Sequence, residues 1–314
     1  MKYSFVLPAY KACFFREALD SILNQTYKEF ELIIVNDASP EGLDAIVKSY
    51  DDPRIRYYEN ENNIGGKDLV AQWNHCLEYA RGEYIILASD DDVYHLEYLE
   101  KMDKLVQKYP DVNIFRPRIQ RINGRGEIIG IESLIPEYTT LLEFQYLRFK
   151  EYIGSGIPFY IIKKEILLGN GGFVNYPLAW FADDAIVAIM AQNGMVASHE
   201  ILFSFRLSGE SITSKANDSI TLRRKIDATN QFYSWFEKYI NSINVRGKYL
   251  EFYKRFVLDS ISGLRKEQNY LWIVCSCTTA IWKNFVYLIK NDIISFKSLI
   301  SLLFRRLYLC LRYQ

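Results

Sequence analysis

Three consecutive carboxylates, Asp90, Asp91 and Asp92, are the residues of this sequence whose type and spacing best suit chemistry. Adjacent carboxylates repel one another unless a positive charge offsets them. Hard divalent cations such as Mg²⁺ and Mn²⁺ take oxygen ligands and often share carboxylates with substrate phosphates. The cluster therefore predicts a divalent metal bound on phosphate. The alternative is a solvated acidic turn in which an aspartate caps a helix over residues 96–106.

The run before this cluster, Tyr84–Ala88, is apolar, which is typical of a parallel strand covered on both faces of its sheet. In open α/β sheets, ligands bind beyond the carboxyl ends of the strands. The three aspartates follow this strand closely in the sequence. The strand is therefore expected to deliver them to the edge of the sheet where a substrate binds.

The first hundred residues alternate between strand and helix patterns. Strands are predicted at 2–7, 31–35, 55–58 and 84–88, and helices at 14–24, 43–49, 67–80 and 96–106. This alternation indicates an α/β fold with a doubly wound, mostly parallel sheet and helices on both faces. No Gly-x-Gly-x-x-Gly follows the first strand, and the sequence has no Walker-type loop. Both observations argue against a dinucleotide dehydrogenase or a P-loop NTPase.

The chain from residue 111 to 165 has a less regular pattern. Strands are predicted at 113–116, 120–122 and 157–162, and a hairpin or a loop at 128–135. A glycine-rich turn, Gly169–Gly172, then precedes an acidic pair, Asp183 and Asp184, which opens an apolar helix. Taken alone, the pair fits a helix N-terminus, where the macrodipole favours negative charge.

The formal net charge is zero, but the charges are distributed unequally along the chain. Residues 211–314 contain 17 Lys and Arg against 7 Asp and Glu, which leaves 21 against 31 in residues 1–210. The basic region is also aromatic and helical in pattern, and apolar helix faces with basic margins suit an anionic membrane surface. The alternative is packing on the catalytic domain or on a second subunit. Nucleic acid is disfavoured because the charge density is low.

Five scattered cysteines without metal-ligand spacing indicate a reduced, intracellular protein. The N-terminus lacks the charged leader and apolar core of a secretory signal. The uncharged stretch Gln268–Trp282 has 15 residues, fewer than the roughly 20 that span a bilayer. The sequence therefore predicts a cytoplasmic protein attached peripherally to the inner face of the cell membrane.

Several ordered motifs in the first hundred residues resemble the signature of family 2 glycosyltransferases with the GT-A fold. They are Pro8–Lys11, Ser21–Tyr27, Phe30–Ser39, Asn63–Gly65, Ala80–Ile85 and the Asp90–Asp92 cluster. The likeness covers residues 1 to about 100 and extends more loosely to about 210. It implies an inverting enzyme that holds a nucleotide-diphosphate-sugar donor in its first half and an acceptor in its second half.

The resemblance implies roles for residues at the strand ends. Pro8, Ala9 and Tyr10 would lie beside the nucleoside, and Asp37 would accept a hydrogen bond from N3 of a uracil base. For Tyr10 the alternative is ordinary packing. Asn36 stands where the family usually has an aspartate.

The resemblance also extends to the diphosphate and its surroundings. Asn63 would belong to the donor site, and Lys67 would contact phosphate or else be a solvated cation, because its loop is about two residues longer than in the family pattern. Arg206 would contact the diphosphate or form a structural ion pair. His95 would line the sugar pocket.

Within the aspartate cluster, the resemblance places Asp90 near the ribose or the donor sugar. Asp91 would be the principal metal ligand, and Asp92 would complete the Mn²⁺ or Mg²⁺ site. Ser89 occupies a position that is often acidic in relatives, so the division of roles among the three acids stays open.

The Asp183–Asp184 pair, about 90 residues after the cluster, resembles the Glu-Asp pair that supplies the general base in this family. The match makes Asp184 the base and places Asp183 at the position of the glutamate. In an inverting transfer the acceptor hydroxyl attacks the anomeric carbon directly, so a carboxylate must lie within hydrogen-bond reach to take its proton. The metal offsets the charge that grows on the leaving phosphate.

The sequence thus predicts a catalytic domain over residues 1–212, with a donor half at 1–110 and an acceptor half at 111–212, and a helical C-terminal region over 213–314. The expected reaction transfers a sugar from a UDP-linked donor to a glycan or lipid-linked glycan of a surface polysaccharide. A sugar nucleotidyltransferase is one alternative, although it would carry a Gly-rich basic loop after strand one. A non-catalytic glycan-binding protein is the other, although it would lack the metal-binding and base carboxylates.

Overall fold

The computed structural model describes residues 1–208 and 218–312, with side chains as far as Phe304. The described chain divides into two compact units. The first contains Met1–Asn175 and the stretch from Ala182 to the end of the last strand. The second contains Tyr176–Phe181 and the helices from residue 219 onward. The predicted catalytic domain includes Tyr176–Phe181, whereas the contacts of this segment lie within the second unit.

The first unit is built from alternating strands and helices. Its strands are β1 Tyr3–Ala9, β2 Phe30–Asn36, β3 Ile55–Glu59, β4 Tyr84–Leu87, β5 Val93–Tyr94, β6 Ile114–Asn123, β7 Ile128–Ile131, β8 Tyr138–Thr139, β9 Ile161–Lys163 and β10 Met195–Leu207. Its α-helices are α1 Phe15–Leu23, α2 Leu43–Val47, α3 Leu69–Leu77, α4 Tyr98–Lys108, α5 Leu141–Phe149, α6 Lys164–Gly169 and α7 Ala182–Met190.

The strands form one sheet in the order β3-β2-β1-β4-β9-β6-β10-β5, with β7 paired to β6 and β8 paired to β10. The neighbours β3, β2, β1 and β4 are parallel, and β10 runs parallel to β6. Strand β9 enters antiparallel between β4 and β6. The predicted fold class is confirmed: an α/β structure with a mostly parallel central sheet and a C-terminal helical region.

The core of the first unit lies on both faces of the central strands. Every residue of β2 is buried, as expected for a parallel strand whose two faces are both covered. Helix α1 buries Phe15, Ala18, Leu19 and Ile22, which recur at the spacing of one helix face. Apolar side chains of the helix and strands thus hold the strand ends in place.

One long strand replaces two of the predicted short ones. Strand β6 covers the predicted strands 113–116 and 120–122 without interruption, although it contains Pro117. Proline lacks an N–H group and is therefore confined in sheets to edges and bulges. Strand β10 bulges opposite it, because the register passes from Ala197 beside Arg116 to Ile201 beside Arg118. The bulge explains why a proline is tolerated there.

Two other predictions are wrong in detail. The predicted strand 157–162 begins instead as a 3₁₀ turn, Ile157–Phe159, with proline in its first turn, and only its end forms β9. The cluster Asp90–Asp92 does not cap the following helix. Strand β5 intervenes, since it pairs with β10, and the N-cap residue of α4 is Glu97.

The second unit is helical. Its helices are α8 Ser219–Ser242, α9 Lys248–Cys275, α10 Thr278–Lys283, α11 Phe285–Lys290 and α12 Phe296–Arg312. The carboxylate of Asp218 begins α8 by accepting hydrogen bonds from the N–H groups of Ile220 and Thr221 at 2.8 and 3.0 Å. Buried aliphatic side chains of α8, the second half of α9, α10, α11 and α12 form the core of this unit, among them Ile226, Ile273 and Leu288. None of the helices in the described residues has both the length and the apolar character needed to cross a membrane.

Candidate active site

The loops after β1, β2 and β4 meet at one edge of the sheet because these strands are parallel neighbours. The backbone N–H of Asp37 donates to the carbonyl oxygen of Ala9 at 2.9 Å. The N–H groups of Tyr10 and Lys11 donate to Oδ2 of Asp90 at 3.0 and 2.8 Å. These bonds join three of the predicted donor-binding segments directly.

Asp37 is 4% exposed and organises the loop that follows β3. Its Oδ1 accepts hydrogen bonds from the N–H of Ile64 at 2.8 Å and from Nδ2 of Asn60 at 2.7 Å. Its Oδ2 accepts one from the N–H of Gly65 at 2.7 Å. A Cβ at Gly65 would lie 2.9 Å from this oxygen, so the approach requires glycine. Three of the carboxylate's roughly four lone-pair sites are thus occupied, which leaves about one for a ligand.

The other predicted donor-binding residues lie in the same loops but differ in exposure. The Tyr10 ring is 39% exposed, and Lys67 is also exposed. Ala9 is fully buried, so it presents only its backbone, and Pro8 and Asn63 are half-buried. The Asn63 side chain closes its own turn by accepting a backbone N–H three residues further on. Tyr10 and Lys67 therefore extend toward solvent, while Ala9 and Asn63 shape the backbone.

The three aspartates of the cluster have separate partners. Asp90 binds the loop after β1, as described above, and burial raises its pKa. Asp92 is fully buried and accepts hydrogen bonds from the Ser89 hydroxyl and from the backbone N–H of Arg206, the latter at 2.8 Å. Burial, reinforced by the charge of Asp91, raises the pKa of Asp92 to about 8. Of the three aspartates, Asp91 alone has a carboxylate that accepts no hydrogen bond within the part of the chain that the structure describes.

Arg206 supports the aspartate turn from behind. Its side chain is 1% exposed, and its Nε donates to the carbonyl oxygen of Asp91 at 2.7 Å. A second nitrogen donates to the carbonyl oxygen of Asn123 at 3.3 Å, and the group forms an ion pair with Glu17 at 2.7 Å. The guanidinium also lies 4.3 Å from the centre of the Phe14 ring. Of the two predictions for Arg206, these contacts correspond to the structural ion pair. A diphosphate contact would require a more exposed guanidinium group.

His95 lies at the start of α4. Its backbone N–H donates to the carbonyl oxygen of Leu202 at 2.9 Å, and its ring lies 3.3 Å from the N–H of Glu97 through Nδ1. The side chain is exposed. Its contacts join α4 to β10 and do not connect it to the aspartate cluster.

Asp184 lies in the first turn of α7 and is buried, with Arg148 of α5 as its charged neighbour. The Arg148 Nε lies 3.3 Å from Oδ1 of Asp184. Burial raises the pKa of Asp184 to about 6, the Arg148 charge lowers it, and the adjacent, half-exposed Asp183 raises it further. The carboxylate is therefore ionised at neutral pH and more basic than an ordinary aspartate.

Tyr160 relates the acidic pair to the sheet edge. Burial is the main cause of its raised pKa, and the nearby charges of Asp183 and Asp184 add to the effect. Tyr160 directly precedes β9, which runs antiparallel to β4 with Ile161 opposite Ile86. Tyr160 therefore lies beside the end of β4. The charges of the acidic pair thus act on a residue at the end of the strand that precedes the aspartate cluster.

A pair of hydrogen bonds holds the loop that leads toward the acidic pair. The Asn74 side chain on α3 donates to the carbonyl oxygen of Phe173 at 3.1 Å and accepts from its N–H at 2.8 Å. Asp68, which caps α3, also accepts a bond from Asn175 at 2.6 Å. Gly172 has a positive φ of 84°, and a Cβ there would collide with the Asn74 amide. The donor half of the unit thus fixes the loop in which the glycines lie.

The residues present fit a cation that is bound together with a diphosphate. Mg²⁺ and Mn²⁺ sites of this kind take one or two carboxylates and complete their coordination with phosphates and water. Asp91 would supply one such carboxylate. Asp92 is buried and hydrogen-bonded, so the prediction that it completes the metal site does not match its position. Among residues 1–208 and 218–304, no three His, Cys, Asp or Glu side chains converge to hold a metal by themselves.

Sequence reasoning did not identify Arg148, Tyr160 or Asn74 as parts of this site. All three act on residues far away in the chain, so no local pattern shows their partners. The one available signal was the glycine-rich turn before the acidic pair, since a glycine at positive φ often marks a close approach by another group.

Comparisons with known proteins give the same result as the motifs. An uncharacterized glycosyltransferase of Methanocaldococcus jannaschii is 31% identical over 157 residues, which are 49% of this chain and 52% of that protein. The chain thus spans about half the length of this relative.

Solved structures match nearly the whole chain at low sequence identity. S. aureus TarS 1–349 in complex with UDP has a TM-score of 0.64 and 18% identity, and the match covers 91% of this chain and 78% of the TarS 1–349 chain. The mannosyltransferase PcManGT from Pyrobaculum calidifontis, in complex with GDP-Man and Mn²⁺, has a TM-score of 0.53 and 14% identity, covering 96% and 85%. These likenesses show the shared fold. The family model for glycosyl transferase family 2 matches residues 4–164, just over half of the chain. The chain therefore belongs to glycosyl transferase family 2.

Proposed function

We propose that this protein is an inverting glycosyltransferase that moves a sugar from a nucleotide-diphosphate donor to a hydroxyl group of a glycan or lipid-linked glycan. The proposal rests on Asp184. A buried carboxylate with a pKa of about 6 is ionised at neutral pH, and it is a better proton acceptor than a solvated aspartate. We assign it as the base for the acceptor because its charge acts on Tyr160, which lies beside the end of β4, the strand that precedes the aspartate cluster.

The reaction needs one bond to form as another breaks. The acceptor oxygen attacks the anomeric carbon from the face opposite the diphosphate, and the electrons of the broken C–O bond remain on the diphosphate. The hydroxyl proton passes to Asp184. Arg148, 3.3 Å from Oδ1, keeps the carboxylate ionised before the transfer and orients it. A bound Mn²⁺ or Mg²⁺, held by Asp91, supplies positive charge against the leaving diphosphate.

A uridine nucleotide is the proposed donor. The TarS structure, which shares the fold, contains UDP. Asp37 retains about one free lone-pair site, enough to accept the single N3 hydrogen of uracil. Tyr10 is exposed beside it at the end of β1, where a base ring can pack against it.

We propose that the protein works at the cytoplasmic face of a membrane, in the synthesis of a surface polysaccharide. Helices α10 to α12 expose large apolar side chains at Trp282, Val286 and Phe296. Exposed lysines alternate with them along the same helices, at positions 283, 290 and 297. Aromatic residues flanked by cations suit the interface of a bilayer with anionic lipid.

The test of the proposed function separates donor binding from transfer. A panel of nucleotide sugars is screened with Mn²⁺ for protection against thermal unfolding, and the stabilising donor is used in a transfer assay. Asp184→Asn is expected to keep the stabilisation, because the proposed base acts on the acceptor hydroxyl. It should lower transfer by about 10²- to 10⁴-fold, the usual contribution of a general base.

Asp183→Asn is the matched control, since it removes a neighbouring charge and leaves the base in place. Its transfer rate should stay much closer to that of the unmodified protein. Full transfer activity in Asp184→Asn would remove Asp184 as the base. A panel in which no nucleotide shifts the melting temperature would remove the donor assignment.

A further inference from the structure

A lysine lies against two indole rings in the second unit. The ammonium group of Lys225, on α8, is 5.7 Å from the ring centre of Trp180 and 5.0 Å from that of Trp272 on α9. The two indoles are themselves 5.0 Å apart between centres, at an angle of 53°. Attraction between a cation and an aromatic face accounts for this arrangement in part.

Among the residues that the structure describes, the ammonium group of Lys225 has no acidic side chain in ion-pair contact, although the charge of Asp218 acts on it from a greater distance. The residue is 7% exposed, yet across the described residues its ammonium group forms no ion pair and donates no hydrogen bond. Lysines are rarely buried to this extent without a partner, because a desolvated charge is costly. Burial accordingly lowers the pKa of Lys225. An anion bound at this group would supply the missing partner.

Hydrogen bonds hold one of the two rings in position. The Trp272 indole N–H donates to Oγ1 of Thr229 at 2.9 Å, and this hydroxyl donates to the backbone carbonyl oxygen of Lys225 at 2.8 Å. The Trp272 ring is thus connected to the backbone of α8 at the residue that carries the ammonium group. Contacts that are fixed before a ligand arrives reduce the entropic cost of binding it.

The segment that carries Trp180 is strained. Leu178, Ala179 and Phe181 have φ values of 63°, 58° and 64°, a left-handed conformation that residues with a side chain rarely adopt. Packing maintains it, since the Phe181 ring stacks on Phe232 with centres 4.7 Å apart and planes at 1°. Backbone strain of this kind concentrates at functional sites and ligand clamps. Here it places an indole on the lysine.

We propose that Trp180, Lys225 and Trp272 form a binding site for an anionic group, a phosphate or a carboxylate. Aromatic walls with one charged group are typical of small-molecule sites. All three residues belong to the second unit. The proposal does not depend on the proposed glycosyl transfer.

The first experiment titrates the full-length protein with inorganic phosphate and with glucuronate in metal-free buffer, at constant ionic strength. Tryptophan fluorescence reports binding, because two indoles line the site. Lys225→Met keeps the aliphatic stem and should weaken anion binding by about tenfold or more, the loss of one charged hydrogen bond. Lys225→Arg should retain it. Lys238→Met, at an exposed position of the same helix, is the control and should titrate like the unmodified protein.

A response to phosphate alone identifies a phosphate-bearing ligand, and a response to glucuronate alone identifies a carboxylate-bearing ligand. Either supports the site when Lys225→Met loses it and Lys225→Arg retains it. The proposal is overturned if neither anion changes the fluorescence, or if Lys225→Met binds as tightly as the unmodified protein. The titration uses no nucleotide sugar, so its result is independent of the transfer assay that tests the proposed function.

Discussion

Asp92 and Asp184 are both buried aspartates with raised pKa values, but their neighbours give them different tasks. The carboxylate of Asp92 is bound by a backbone N–H and a hydroxyl, so it fixes the turn between β4 and β5. Asp184 faces a guanidinium and a second carboxylate, which together set its proton affinity. Burial raises the pKa of both groups, and the proposed function assigns proton transfer to Asp184 alone.

The pKa of Asp184 predicts the pH dependence of the reaction. Because the base must be ionised, kcat/KM should rise by about tenfold per pH unit below the pKa and level off above about pH 6. Arg148→Gln removes a charge that lowers this pKa, so the acid limb should move to higher pH. A pH profile of kcat/KM for both proteins is the measurement. A limb that stays in place in Arg148→Gln would contradict the assignment.

The same shift affects stability with a defined sign. The folded pKa of Asp184 lies above the value of about 3.9 expected in the unfolded chain. Between these two values the unfolded chain has lost the proton and the folded protein still holds it. The contribution of this group to stability is therefore complete at low pH and is lost as the pH rises to about 6.

Among the secondary-structure elements, α3 and the loop after α6 form the least expected connection. The Asn74 amide acts as a substitute for a backbone partner, since it both donates to and accepts from Phe173. Asn74→Ala should lower the free energy of unfolding by about 1–3 kcal/mol, because two hydrogen bonds are lost at a half-buried site. It should also lower kcat more than it changes the donor KM, because the loop leads toward the acidic pair.

Asn170→Ala is the control for this prediction. Its side chain is exposed and bonds only within its own helix, to the carbonyl oxygen of Ile166 at 2.8 Å. Urea denaturation and steady-state kinetics measure both variants. Equal effects of the two substitutions would show that the connection to α3 has no special role.

The parallel half of the sheet was predictable because its strands are short, apolar and punctuated by polar turns. The apolar run Tyr84–Ala88 illustrates this. Its local sequence predicts both the strand β4 and the end of that strand, where the polar residues begin. Strand β6 was not predictable as one strand. Pro117 is compatible with it only because β10 bulges opposite, and that bulge lies some eighty residues away in the chain.

The candidate site divides in the same way. The types and order of Asp37, Asp90, Asp91 and Asp184 identify them in the sequence. Their individual roles depend on partners that only the fold supplies. Arg206 shows this most clearly: the resemblance implied a diphosphate contact or a structural ion pair, and the structure places its guanidinium against a phenyl ring and a glutamate.

At the scale of the whole molecule, the basic and aromatic surface of the second unit predicts binding to membranes. Replacing Lys283, Lys290 and Lys297 by glutamine should weaken binding to anionic vesicles by about 100-fold, at about 1 kcal/mol for each lysine. Vesicle co-sedimentation measures the partition. Binding to vesicles of neutral lipid should change little, since it depends on the aromatic residues. Unchanged partition into anionic vesicles would favour packing of these helices on protein.

The grouping of Tyr176–Phe181 with the C-terminal helices has a practical result for anyone who cuts or recombines this enzyme. Truncation of the chain after β10 would remove the aromatic neighbours of Trp180 and Phe181, which belong to α8 and α9 among the described residues. A truncated protein would then lose activity because these aromatic contacts are missing, and not because membrane binding is lost. A chimaera that exchanges these helices must therefore take residues Tyr176–Phe181 from the same parent protein, so that the segment and the helices remain matched.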